Sequence, residues 1–239
     1  MNQHGKPWSH GKRVAVLVAV FLLVVYLAAA YVVIPYGWEW FTARHPSLDD
    51  VPGITLAADG IPGDPLNVGL VGTETEVKRI LLAAAWHPAD RLTLRSCLEI
   101  ADATVLKRSY EDAPVSNLYL FGRKEDLAFE QRVGDNPRKR HHVRFWRTDK
   151  TDDGRPVWVG SATYDERVGF SRRTGQITHH IAPDVDAERD HLFQDLQKTG
   201  DLSETYVIDG FHKTLEGRNG GGDPWHTDGR LDMGVIRAE

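Results

Sequence analysis

The chain has one cysteine, Cys97, so it can form no internal disulfide and is not a small scaffold held by cystine bridges. It has no HExxH and no paired-cysteine spacing, which removes the common zinc-protease and zinc-finger signatures. No GxSxG is present, so nothing marks the nucleophile elbow of a serine hydrolase. Cationic excess is missing too: the formal charge is -5, which argues against a general nucleic-acid binder. Lys6, Lys12 and Arg13 contribute to that total with no acid beside them, so the rest of the chain is more acidic still. The cluster Arg138, Lys139, Arg140 is basic only locally and suits a solvated turn.

Long hydrophobic runs are also scarce, and the chain has one. Val14 to Ile34 is uncharged over 21 residues. As a helix it would extend roughly 30 Å, the thickness of a bilayer's hydrocarbon core. Tyr36, Trp38 and Trp40 follow it as an interfacial aromatic belt. All the flanking positive charge precedes the run, which predicts residues 1–13 in the cytoplasm and the remainder outside, on a single-pass anchor. Ala28-Ala29-Ala30 could serve as a signal-peptide cleavage site, but the apolar run continues through Ile34, which favours an uncleaved anchor. The expected order is a cytoplasmic N-terminus (1–13), a transmembrane helix (14–34), a linker (35–63) and one soluble domain (64–239).

Residues 41–64 are rich in Pro, Gly and Asp without lasting periodicity, and read as a tether. Leu66 to Val71 then reads as a strand. Thr73 and Glu76 form a capping box ahead of Val77, Ile80, Leu81 and Ala84, the spacing of one helical face. Leu94, Leu98, Ala101 and Val105 repeat that spacing and predict a second helix, with Cys97 a buried thiol within it. From Leu118 to Ile181 the chain changes character, with five apolar or alternating stretches separated by turns: 118–121, 127–133, 140–148, 156–165 and 176–181. A third helix is expected over Asp184 to Lys198, then closing strands at 205–208 and 231–236. Helices before and after a run of strands predict an α+β domain with a mainly antiparallel sheet and about three helices.

Three polar stretches stand out against this frame. In Arg140-His141-His142-Val143-Arg144-Phe145-Trp146, strict alternation puts His141, Val143 and Phe145 on one face and His142 and Arg144 on the other. The same rule applied to Gln176 to Ile181 groups Ile177, His179 and Ile181, leaving His180 opposite. His142 and His180 are therefore the histidines expected to share a polar surface, joined by Arg144 if their strands are neighbours. His141 and His179 are expected to be hydrogen-bonded histidines at the edge of the core.

Asp184 and Asp186 follow Pro183 at a helix start, where the macrodipole by itself favours acids. Alternatively, either carboxylate orients His180 as a general base, or His180, Asp184 and Asp186 share a divalent metal. The third stretch, Glu216 to Arg230, carries Gly220-Gly221-Gly222 flanked by Arg218, Asn219, Asp223 and Arg230. Such a loop either moves freely or lets its backbone N–H groups crowd an anion. It lacks the GKS or GKT ending of a P-loop. Asp165, at a strand end, is a further candidate.

In RHHVRFW, ATYDERVGFS, TGQITHHIAPDVDAERD and GRNGGGD followed by TDGR, the chain resembles the LssY C-terminal domain family. The likeness runs from about Gly63 to Arg230 and rests on several long motifs in one order. The resemblance implies a bacterial protein whose domain stands behind a membrane helix or is attached to membrane proteins carrying a PAP2-type lipid phosphatase. It also implies a link to type I secretion. It carries no catalytic residues with it. With a single hydrophobic run in the sequence, a PAP2-type phosphatase is expected on another chain, beside the lipid bilayer itself as a partner, and no nucleic acid.

Two functions fit these residues. One is a hydrolase of phosphate-ester class acting on an anionic envelope substrate. There His142 or His180 is the base, Asp184 or Asp186 its partner, and Arg144, Arg218, Arg230 and the Asn219 to Gly222 loop the anion clamp. The other is a non-catalytic binding or scaffold module of an envelope or secretion assembly.

Overall fold

The computed structural model describes residues 10–89, 118–134, 139–170 and 177–238. The second helix expected around Leu94 to Val105, and Cys97 with it, lies outside those residues. Met1–Ser47 and Leu48–Glu239 are separate compact units.

In the first unit, α1 (His10–Ala28) passes through a π-helical turn at Ala29–Val33 into α2 (Ile34–Arg44). Pro35 explains the turn. A proline has no N–H, and its ring crowds the carbonyl four residues back. The ladder shifts register ahead of it, and the Ile34 N–H donates to the Ala29 carbonyl, five residues away. Within His10–Trp38 an 18-residue window has a mean hydropathy of 2.9 and none of it is buried, so this helix is long and apolar enough to cross a membrane.

The second unit opens where the sequence suggested an aperiodic tether. Instead of a tether there are two strands, β1 (Ile54–Ala57) and β2 (Pro62–Pro65), and Leu48 and Val51 are already buried. Strands of four residues joined by a tight turn are too short to show a period. The turn is closed by Asp59, whose carboxylate accepts from the Ile61 N–H at 3.2 Å. Pro62 and Pro65 are accommodated because β2 is an edge strand.

Next come β3 (Val68–Val71) and α3 (Glu74–Ala83), whose capping box is present as the sequence reads. Thr73 accepts from the Glu76 N–H at 3.3 Å, and Glu76 returns the bond to the Thr73 N–H at 2.7 Å. Short β4 (His87–Pro88), β5 (Leu118–Leu120) and β6 (Arg123–Lys124) precede β7 (Leu127–Arg132). The long strands β8 (Arg140–Asp152) and β9 (Arg155–Phe170) form the centre of the fold, followed by β10 (Ile177–Ile181) and α4 (Val185–Lys198). The chain closes with β11 (Leu202–Ile208), the hairpin β12 (Glu216–Arg218) and β13 (Pro224–His226), and β14 (Leu231–Ile236).

The main sheet has the order β11-β14-β3-β9-β8-β7-β4, with β10 paired to the far end of β9. Among the described residues of this sheet, only the β14–β3 pairing is parallel. A second sheet has the order β2-β1-β5-β6. The unit is therefore an α+β domain with mainly antiparallel sheets.

Alternation along β8 and β9 divides the core into two. Val143, Phe145, Trp158 and Ala162 pack with Val77, Ile80 and Leu81 of α3 and Leu192, Phe193 and Leu196 of α4. From the other face, Trp146, Val157 and Val159 pack with Leu118 and Leu120 of the small sheet and with Leu231 and Met233. The main sheet thus lies between a helical layer and a second sheet, and what occupies its second face beyond Trp146 and Val159 defines the site.

Candidate functional site

Cross-strand register sets the polar face. His142 pairs with Thr163, Arg144 with Ser161 and Arg140 with Asp165. Directly opposed residues project to the same side of a sheet, so these six belong to the face that carries Trp146 and Val159. On the other edge of β9, His180 pairs with Arg167, the next position of the same alternation. Alternation thereby brings His142, Arg144 and His180 to one face. All three are almost fully buried, as are Ser161, Thr163 and Asp165. A sheet face of this composition without solvent is costly unless its polar groups find partners.

Those partners come from parts of the chain that the sequence did not connect. The His180 imidazole Nδ1 lies 2.7 Å from Oδ1 of Asp223, with both side chains under 5% exposed. Asp223 is held by its own turn: its N–H donates to the Asn219 side-chain oxygen at 2.9 Å, and its carbonyl accepts from the Asn219 N–H at 3.0 Å. The Asn219 amide in turn donates to Oδ1 of Asp64 at 3.0 Å, while Oδ2 of Asp64 lies 3.7 Å from Arg144. A chain of contacts therefore runs from His180 through Asp223, Asn219 and Asp64 to Arg144. Burial pushes the Asp64 carboxyl up, with Asp165 and Asp223 adding to the rise, while Arg144 and Asn219 oppose it. Burial also pushes His142 well below the ordinary histidine value, helped by the charges of Arg144, Arg140 and His179, which favours its neutral form.

The triple-glycine stretch acts here as a turn. The Gly222 N–H donates to the Asn219 carbonyl at 2.9 Å, the Gly222 carbonyl accepts from Arg218 at 2.9 Å, and Gly222 has φ of +87°. Gly220 approaches the second sheet so closely that a Cβ would stand 3.2 Å from that of Ala57. What Arg218 and Gly220 to Gly222 accomplish is to present Asn219 and Asp223 to the sheet. Gly169 has a related role, because a Cβ there would stand 2.9 Å from His180 Nε2.

Asp184 and Asp186 are placed elsewhere. Asp184 caps α4, accepting from the Asp186 and Ala187 N–H groups at 3.2 and 3.1 Å. Asp186 accepts from Thr227 at 2.8 Å and Arg189 at 3.1 Å. Arg189, almost fully buried, also grips Asp228, which Arg230 meets at 2.7 Å. Asp186 and Arg189 thus fasten α4 to the segment before β14, Asp184 caps the helix, Arg230 pairs within that segment, and the carboxylate beside His180 is Asp223. Among the described residues no group of three or more His, Cys, Asp or Glu side chains is arranged to hold a metal ion.

The remaining histidines of the doublets also meet carboxylates. His179 lies 3.3 Å from Asp165 and 3.1 Å from Arg140, which itself meets Asp165 at 3.1 Å and Glu130 at 2.8 Å. An irregularity in the register between His180 and Ile181 lets consecutive histidines both engage acids. On the helical face, His141 Nδ1 lies 2.8 Å from Glu188 of α4 and its ring stacks on His191 at 3.9 Å. Sequence reasoning missed Asp64 and the pairing of Asp223 with His180. The only signal for either was an Asp beside Pro65 and an Asp closing a glycine run.

Taken together, these features define an α+β domain with a buried histidine–carboxylate cluster, carried behind a helix apolar enough to cross a membrane. Residues 48–231 match the family described as LssY C-terminus, and the chain belongs to that family. No curated protein and no solved structure matches it.

Proposed function

We propose that the chain is a membrane-anchored hydrolase acting on a phosphorylated or otherwise anionic substrate of the bacterial envelope, with His180 as general base and Asp223 as the carboxylate that orients it. The observation that carries this reading is the 2.7 Å contact between Asp223 and Nδ1 of His180, combined with an Nε2 that has no partner among the described residues. A carboxylate on Nδ1 fixes the proton there and leaves the Nε2 lone pair free to accept one from water. Arg144 supplies positive charge on the same face, and burial strengthens each electrostatic contact by excluding solvent. The charge bias around the apolar helix supports a cytoplasmic N-terminus and an extracytoplasmic domain. A PAP2-type phosphatase on another chain fits as a partner in lipid turnover.

A second reading, a non-catalytic binding or scaffold module, is favoured by one observation. The His180–Asp223 pair is buried, whereas surface clefts of about 490 and 570 Å³ are lined by other residues, Phe121, Arg123 and Arg147 in one and His87, Glu130 and Arg132 in the other. The test is turnover of a panel of phosphomonoesters and diesters by the full chain in detergent. His180→Gln and Asp223→Asn should each lower the rate about 100-fold or more while the protein still melts cooperatively. A wild-type protein inert toward every ester would leave the binding module as the better account.

A further inference from the structure

The proposed base needs a counterpart that would hold the anion, and the backbone pairing of β8 and β9 supplies one. We propose that His142, Arg144 and Ser161 form a seat for a tetrahedral oxyanion, which narrows the ligand class to a phosphoryl group. This inference rests on the general-base reading only for turnover, because the seat would bind an anion without it.

Two buried atoms point to a ligand. His142 Nε2 and Ser161 Oγ are inaccessible to solvent and have no hydrogen-bond partner among the described residues. Both residues are 1% exposed. Buried polar side-chain atoms without partners are uncommon, and two on one small patch of sheet point to a shared ligand. Their placement follows from register: Ser161 stands directly opposite Arg144, and Thr163 directly opposite His142. Directly opposed side chains on a face begin about 5 Å apart at Cβ, and diagonal ones such as His142 and Ser161 begin about 7 to 8 Å apart. One oxyanion can therefore touch all three groups.

The donor types match a phosphoryl group better than a carboxylate. Arg144 offers a planar fork, Ser161 one hydroxyl, and neutral His142 one ring N–H when the proton sits on Nε2. Three directions of donation suit the three free oxygens of a phosphate ester, whereas a carboxylate has two oxygens in one plane. The neighbouring carboxylates, Asp64, Asp165 and Asp223, would repel an anion, but each has a partner that offsets it: Asn219 and Arg144 for Asp64, Arg140 for Asp165, and His180 for Asp223. The upward push on Asp64 favours its neutral form and lowers that repulsion further. His180 Nε2, packed against Gly169, has no partner among the described residues and can serve as the base.

The experiment is calorimetric titration of the full chain in detergent with inorganic phosphate, sulfate and formate. The expected result is one saturable site for phosphate and sulfate, with formate at least about tenfold weaker. Ser161→Ala should weaken phosphate about tenfold, the loss of one hydrogen bond. His142→Leu should weaken it at least as much, and His142→Gln, which keeps an N–H donor, should recover part of the loss. Arg230→Gln, which removes a cation paired with Asp228, should leave the affinity unchanged. His180→Gln should still bind phosphate while failing to hydrolyse esters. If wild-type protein binds neither phosphate nor sulfate, or if Ser161→Ala and His142→Leu bind as wild type does, the seat is wrong, whatever the turnover. If these variants lose binding but His180→Gln hydrolyses at the wild-type rate, the seat stands and the assignment of the base falls.

Discussion

The two faces of β8 behave as different materials. On the helical face, Val143 and Phe145 are fully buried among side chains of α3 and α4, and the histidine of that face, His141, bonds to Glu188 from α4 itself. On the other face, His142 and Arg144 are equally buried but stand among Ser161, Thr163, Asp165 and His180. Each face has a histidine–carboxylate contact of nearly the same length, 2.8 Å for His141–Glu188 and 2.7 Å for His180–Asp223. The surroundings separate them. His141 stacks on His191, which is itself bonded to Gln131 at 2.9 Å, in a setting that ties a helix to a strand. His180 is held by a hairpin turn whose other contacts lead to a buried Asp–Arg pair, and its Nε2 has no partner among the described residues. A short histidine–carboxylate distance is therefore not enough to mark a site; what the second ring nitrogen meets decides more.

The sharpest way to break the comparison is to disable one pair at a time. Asp223→Asn should lower ester turnover about 100-fold or more, because an amide that donates to Nδ1 would favour the wrong tautomer. Glu188→Gln on the opposite face should leave turnover within about twofold in the same assay. Equal losses from the two variants would mean that the pairs are not functionally distinct. Next in size, Phe145→Ala should cost about 3 to 5 kcal/mol of stability in denaturant unfolding, the usual result of truncating a fully buried aromatic residue. Ser161→Ala should cost about 1 kcal/mol or less, since it removes a hydroxyl that has no partner to lose.

Gly169→Ala tests the free nitrogen more gently. The added methyl would press on His180 Nε2 and on Arg167, so turnover should fall about tenfold through displacement of the ring, with a small change in melting temperature. The smallest effect expected is on pH dependence. His142 is held neutral in the native state, whereas the unfolded chain takes up a proton near pH 6.5. The unfolded state then binds more protons, and this group makes stability fall as pH drops below that value. Asp64, raised in the native state, works in the opposite direction: its penalty is relieved as pH falls through its raised value. The difference between wild type and His142→Gln therefore isolates the histidine. Thermal midpoints between pH 7.5 and 5 should decline less in the variant, and parallel curves would contradict a neutral buried His142.

Much of the frame was legible because it depends on local periodicity. The apolar helix, the capping box at Thr73 and Glu76, the run of α4 after Asp184 and the two faces of β8 all follow from spacings within one element. The start of the domain was misread, since β1 and β2 are too short and too rich in Pro and Gly to show a period. The candidate site was half legible. His142, Arg144 and His180 came from alternation, whereas Asp184 was the nearest acid in sequence to His180 and so drew the role of its partner. The helix start explains why that inference fails geometrically: its free N–H groups take the Asp184 carboxylate first.

What the chain determined unaided is which side chains share a side of a strand, because the direction of Cβ alternates with period two in any extended backbone. Which carboxylate meets which histidine was decided only by tertiary structure. Asp223 reaches His180 across 43 positions, and Asn219 reaches Asp64 across 155. Contacts at such separations exist only after the β12–β13 hairpin and the small sheet have closed over one face of the main sheet, and no spacing within a single element encodes that closure.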